Sequence, residues 1–80
     1  MHEWLAAAAE RLAAETGATA ADLALTQPEI DALLELARVA AHDSGERINA
    51  PLVCYLVGLA RGRNGGALDD AIDAVVGKRV

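Results

Sequence analysis

Three basic side chains lie close together in one part of the sequence and could hold an anionic group. Arg38 and His42 are one helical turn apart, and Arg47 follows shortly before a segment with the signals of a new helix. A helix N-terminus attracts phosphate and carboxylate groups because its first N–H groups have no partner within the helix. With Asn49 at that start, these residues form a candidate site for a small anion that carries a phosphate or carboxylate group.

The alternative is that the same residues form only a structural corner between two helices. Asp43 and Glu46 add negative charge to this segment, and Pro51 removes one N–H group from the helix start. Arg47 would then pair with an acidic neighbour or bind the last carbonyl groups of the preceding helix. We favour this structural role, and the sequence leaves both interpretations open.

Other combinations of chemically active residues have little support. His2 and His42 are far apart in the sequence, and neither has a second ligand at the spacing of a metal site. Cys54 lies within an apolar run, which is typical of an inert buried thiol. Three carboxylates near the C-terminus are typical of a solvent-facing helix surface: Asp69, Asp70 and Asp73. We therefore expect no enzyme, no metal and no cofactor.

The composition indicates one all-α domain that covers residues 1–80. The chain is 54% hydrophobic but only 2% aromatic, and it is rich in Ala and Leu, which are strong helix formers. A net charge of −5 and scattered basic residues argue against nucleic acid as a partner. Because the chain has one cysteine, a disulfide within it is excluded, and helix packing or oligomerisation must stabilise so short a domain.

The sequence also predicts a protein that does not enter a membrane. The longest uncharged apolar stretch, residues 50–60, has eleven residues, whereas a spanning helix needs about 20. The N-terminal residues lack the basic and apolar regions of a signal peptide. With a free cysteine and no export signal, we expect the protein in the cytoplasm.

We predict four main helices and one short helical turn. Their approximate ranges are 2–16, 26–43, 49–60 and 67–76, with the turn within 19–25. The start of helix 2 is the clearest, because Thr26 and Glu29 have the spacing of a capping box. We expect Gly17 to end helix 1 and Asn49 to cap helix 3. Residues 61–66 are expected to form a flexible turn.

Helix 3 has no charged side chain from Leu52 to Ala60, a pattern that indicates burial on all sides. Full enclosure is difficult in a domain of this size, so helix 3 is either the central rod of the four-helix bundle or part of a dimer interface. We expect the Tyr55 ring to be buried and Gly58 to lie at a close helix crossing. The expected core residues of helices 2 and 4 are Ile30, Leu33, Leu34, Ala37, Ala41, Leu68, Ile72, Val75 and Val76.

Four large side chains are candidates for contact with a protein partner. Trp4 near the chain start either covers the core or anchors an interface, since interfaces are enriched in Trp and Tyr. On helix 3, the charge-free segment adds Tyr55, Leu56 and Leu59. The sequence leaves both alternatives for Trp4 open.

Several short motifs occur along the chain in an order that is characteristic of one family. They are "LAR" at residues 36–38, "AH" at 41–42, Arg47, "AP" at 50–51, and an L-x-G-x-A-x-G ending at residues 56–62. In this pattern the chain resembles a small helical domain family of unknown function from actinobacteria. Its members occur alone or as a C-terminal extension of molybdenum cofactor guanylyltransferases. The "EWLAAAAERL" start is also similar to the Trp-containing first helix of that family.

The resemblance implies a helical accessory module connected with molybdenum cofactor biosynthesis, and it supplies no catalytic residue. The segment after His42 is more acidic than the family pattern, which weakens the candidate anion site. The chain carries no nucleotidyltransferase domain, so its partner would be an enzyme recruited in trans or another copy of itself. We expect a non-catalytic interaction module that forms a homodimer or docks to a larger cytosolic enzyme.

Overall fold

A computed structural model describes residues 3–77, which form four α-helices and one short 3₁₀ turn, with no strand among them. The helices are α1 (Glu3–Thr16), α2 (Gln27–Ser44), α3 (Asn49–Asn64) and α4 (Leu68–Val76), and the 3₁₀ turn is Ala21–Leu23. The predicted all-α fold with four helices is confirmed. The predicted start of helix 1 at His2 lies outside the described residues.

The boundaries of α2 follow directly from local sequence signals. The backbone N–H of Glu29 donates to Thr26 Oγ1 at 3.3 Å, and the N–H of Thr26 donates to Glu29 Oε1 at 2.7 Å. This pair is the predicted capping box, which satisfies two N–H groups that the helix leaves unpaired. At the other end, Gly45 has a φ of 74°, a left-handed conformation that ends the helix.

The capping box should weaken at acidic pH. Hydrogen bonds from the backbone and side chain of Thr26 lower the pKa of Glu29 below its ordinary value. The resulting stabilisation is present above the unfolded-state pKa of about 4.3 and is lost as pH falls through the lower folded-state pKa. Urea unfolding measures the free energy of unfolding at pH 7 and at pH 3. Between these pH values it should fall more for the wild type than for Glu29→Gln, whose side chain keeps an acceptor but cannot titrate. An equal fall in both proteins would contradict the role of Glu29 as the titrating group of the capping box.

The hydrophobic core is small and lies between α2, α3 and α4, which pack on one another. Each helix contributes one side chain to its centre: Leu36 and Ile72 are fully buried, and Val57 is 4% exposed. The α1 helix lies instead over the segment that follows it, where Leu23 and Leu25 line a cavity of about 200 Å³ beneath α1. The 3₁₀ turn therefore serves to place apolar side chains under α1.

The structure corrects the predicted core faces of α2 and α4. Leu34, predicted to be in the core, is 65% exposed, whereas Leu36, which the prediction omitted, is fully buried. Since α2 carries apolar residues on more than one side, its sequence did not decide which side would meet α3 and α4. On α4, Ile72 is buried as predicted, but Val75 is 48% exposed.

Both ends of α3 differ from the prediction. Asn49 is the first helical residue and not the cap, because the chain already turns before it: the N–H of Asn49 donates to the carbonyl of Glu46 at 3.1 Å. The helix also continues through part of the predicted flexible turn to Asn64. It stops where Gly65 and Gly66 adopt φ values of 74° and 97°, conformations that glycine reaches without a steric penalty.

Gly58 does not lie at a close helix crossing, since a Cβ atom placed there would meet open space. We therefore expect Gly58→Ala to stabilise the protein by about 0.5–1 kcal/mol, because alanine loses less backbone entropy in a helix. Gly45→Ala is the contrasting variant, and its positive φ should make it destabilising by about 1–2 kcal/mol. Urea unfolding of dilute protein measures both. A destabilising Gly58→Ala would show that something contacts this position in solution.

Candidate interaction surface

One side of α3 is apolar and open to solvent. Five large side chains along this side, from the cap residue Ile48 onwards, are between 37% and 66% exposed. They are called here the outer face of α3: Ile48, Leu52, Tyr55, Leu56 and Leu59. In the single chain α3 is therefore not buried on all sides, and the Tyr55 ring, which we expected to be buried, is exposed. The physical reason is that only the opposite side, including Val57, reaches α2 and α4. The alternative in which part of α3 forms a dimer interface stays a prediction.

The exposed area of the whole chain is large for its mass. The chain exposes 5964 Å², whereas a folded monomer of 8.3 kDa exposes about 4,600 Å² by the usual scaling of surface with mass. The outer face of α3 is a contiguous apolar patch, and such patches are typical of surfaces that contact another molecule. The outer face of α3 is therefore the principal candidate for a functional surface.

Two grooves continue the outer face towards the other helices. The larger has a volume of about 470 Å³ and lies between α2, the start of α3 and the end of α4. The smaller, of about 290 Å³, lies between α3 and α4. Val53, Leu56 and Val75 line both grooves. Most lining residues are apolar, so this surface fits an apolar partner group.

The structure does not gather the four candidate ligand residues around one cavity. Asn49 alone among them lines the larger groove, together with the carboxylate of Asp43. The guanidinium of Arg38 instead donates two hydrogen bonds to the carboxylate of Glu35, at 3.0 and 2.6 Å, and this carboxylate raises the pKa of Arg38. The side chains of His42 and Arg47 are exposed.

A residue that the sequence analysis did not single out holds the corner between α2 and α3. The hydroxyl of Ser44 donates to the carbonyl of Ala40 at 2.6 Å and accepts the N–H of Glu46 at 3.2 Å. It therefore bonds both the last turn of α2 and the turn that leads to α3. A serine directly before a helix-ending glycine was the available signal, because serine side chains commonly bond nearby backbone groups.

Residues 1–79 match a family profile described as a domain of unknown function, DUF6457. The chain belongs to the DUF6457 family. No match was found among curated proteins or among solved structures. The family description states no activity, so the function of this DUF6457 chain has to be argued from its surface.

The other chemical candidates in this DUF6457 chain offer little reactivity. Cys54 is half-buried, and burial raises the pKa of its thiol, which disfavours the nucleophilic thiolate at neutral pH. Within residues 3–77, no three His, Cys, Asp or Glu side chains cluster as a metal site requires.

In the same part of the chain, no helix combines the length and apolar character needed to cross a bilayer.

Trp4 does not cover the core of this DUF6457 domain. It lies in the first turn of α1 and is 68% exposed, while the buried residues of α1 are Ala9 and Ala13. Of the two alternatives for Trp4, the lid over the core is therefore wrong. The interface alternative stays a prediction.

Proposed function

We propose that this DUF6457 chain is a non-catalytic protein-interaction module that presents the outer face of α3 to a protein partner. The observation that carries the proposal is the set of five large apolar side chains exposed on one side of a single helix. Burying a large apolar side chain contributes about 1.5–3 kcal/mol. A partner that covers several of them would gain enough free energy to form a specific complex.

The partner is either another copy of the chain or a larger enzyme. The motif pattern between Leu33 and Gly62 supports an actinobacterial protein that docks to a molybdenum cofactor guanylyltransferase in the cytoplasm. This part of the proposal rests on the resemblance alone. The outer face of α3 supplies the contact area in either case.

The alternative function, binding of a pterin or nucleotide phosphate at the α2–α3 corner, receives less support from the geometry. Arg38 is already paired with Glu35, and the larger groove carries the negative charge of Asp43. This alternative predicts that Arg47→Ala abolishes ligand binding with little change in thermal stability. It stays a prediction, and the arrangement favours an apolar protein contact.

Light scattering during gel filtration tests the proposal. We expect the chain alone to have a mass above 8.3 kDa, or the mixture with a molybdenum cofactor guanylyltransferase to contain a species heavier than the enzyme alone. Leu56→Glu should abolish that complex, because it places a charge on the outer face of α3. The matched control is Leu34→Glu, since Leu34 is equally exposed but lies on α2. A monomer mass in both wild-type samples, or equal effects of the two variants, would contradict the proposal.

A further inference from the structure

The outer face of α3 has the residue spacing of a helix-pairing seam. Ile48, Leu52, Tyr55 and Leu59 follow one another at intervals of four, three and four residues. This alternation places side chains in one line along a helix and is the spacing of the apolar positions in coiled coils. Leu56 lies beside that line, and all of these side chains are exposed. The spacing favours another helix as the structure that covers this face.

The charges at the two ends of the seam differ in sign. Beyond Leu59, the basic Arg63 continues the line of the outer face at the end of α3, whereas the guanidinium of Arg61 donates to the carbonyl of Gly66. Next to Ile48, the last turn of α2 carries Asp43, and the residues that follow it include Glu46 and Arg47; these three residues have a net charge of −1 and are called here the acidic turn. A parallel pair of identical seams would bring the two arginine ends together. An antiparallel pair brings each arginine end to an acidic turn and also opposes the two helix dipoles.

From this arrangement we infer that two copies of the chain pair antiparallel through the outer face of α3. The inference rests on the proposed function and names the occupant of the same surface. A two-fold axis near the centre of the seam places Ile48 opposite Leu59 of the second copy and Leu52 opposite Tyr55 of the second copy. In this register Arg63 lies close to the acidic turn of the second copy.

The exposed apolar surface is continuous enough for a dimer contact. A specific protein interface of standard size buries about 800 Å² on each partner. The outer face of α3 is joined at both sides by grooves lined mostly by apolar residues, so a second copy could extend the contact beyond the helix itself.

The orientation of the pair can be measured with one spin label on each copy of the full chain. Asn64→Cys places the label at the exposed end of α3, in a Cys54→Ala background that removes the native thiol. In the antiparallel pair the two labels lie at opposite ends, about 30 Å apart at about 1.5 Å per residue. In a parallel pair they lie about 10 Å apart, the usual distance between packed helices. A distance near 10 Å, or no dipolar coupling, would overturn the inference.

Charge reversal tests the same geometry by sedimentation equilibrium. Arg63→Glu places a negative charge against the acidic turn twice in each antiparallel dimer, so we expect the dissociation constant to rise about tenfold. Adding Glu46→Arg should restore most of the affinity, because the double variant exchanges the two charges. In a parallel dimer Arg63 does not face the acidic turn, so Arg63→Glu would remove no attraction. An Arg63→Glu variant with the wild-type dissociation constant would therefore overturn the inference.

The outcomes separate this inference from the proposed function. A wild-type chain that is monomeric but binds the guanylyltransferase through Leu56 overturns the antiparallel dimer and leaves the proposed function standing. A chain that neither pairs nor binds the enzyme overturns both. A dimer with distant labels and a rescued double variant supports both.

Discussion

Leu36→Ala should lower the free energy of unfolding by about 2–5 kcal/mol, whereas Leu34→Ala should lower it by less than about 1 kcal/mol. The two leucines are two residues apart on α2, but Leu36 is fully buried and Leu34 is 65% exposed. Truncation of Leu36 leaves a cavity where α2, α3 and α4 meet. Truncation of Leu34 removes little buried area.

Chemical denaturation in urea, followed by circular dichroism at a fixed protein concentration, measures both values. The two variants change the same residue type in the same helix, so helix propensity cancels between them. A loss for Leu34→Ala equal to that for Leu36→Ala would mean that Leu34 is also buried in solution, and would contradict its exposure in the structure.

Val57→Asp should abolish cooperative folding, while Leu56→Asp should leave the helical content unchanged. Val57 is 4% exposed and contacts the centre of the core, and Leu56 is 60% exposed on the outer face of α3. An unpaired buried carboxylate costs several kcal/mol. A chain of 80 residues has a total stability of only about 4–12 kcal/mol.

Thermal unfolding followed by circular dichroism distinguishes the two variants. The expected result is a sigmoidal transition for Leu56→Asp and a loss of the transition for Val57→Asp. These substitutions are adjacent and chemically identical, so the difference reports which side of α3 is buried. If Leu56→Asp were also unfolded, the outer face of α3 would be essential for folding, as in a dimer without a stable monomer.

Local signals allowed the helices themselves to be predicted from the sequence. The capping box of Thr26 and Glu29 and the end of α1 at the left-handed Gly17 were predicted correctly. These features depend on hydrogen bonds and backbone preferences within a few residues, so the sequence contains the necessary information. The start of α3 was less well predicted, because a turn before Asn49 replaced the expected side-chain cap.

The faces of the helices could not be predicted in the same way. In a chain that is 54% hydrophobic, α2 and α3 carry apolar residues on several sides, so periodicity did not single out one face. Leu34 was assigned to the core in place of Leu36, and Tyr55 was expected to be buried. The candidate site shows the same limit: the structure leaves Arg38 with Glu35 and does not bring it to the groove that Asn49 lines.

The sequence by itself determined that this protein is helical, where most of its helices begin and end, and that α3 carries a long charge-free segment. Only the tertiary structure decided which side of each helix is buried. Local bonding sets helix boundaries, whereas burial depends on how segments distant in sequence pack together. In this chain α2, α3 and α4 enclose Leu36, Val57 and Ile72, and that packing leaves the outer face of α3 exposed.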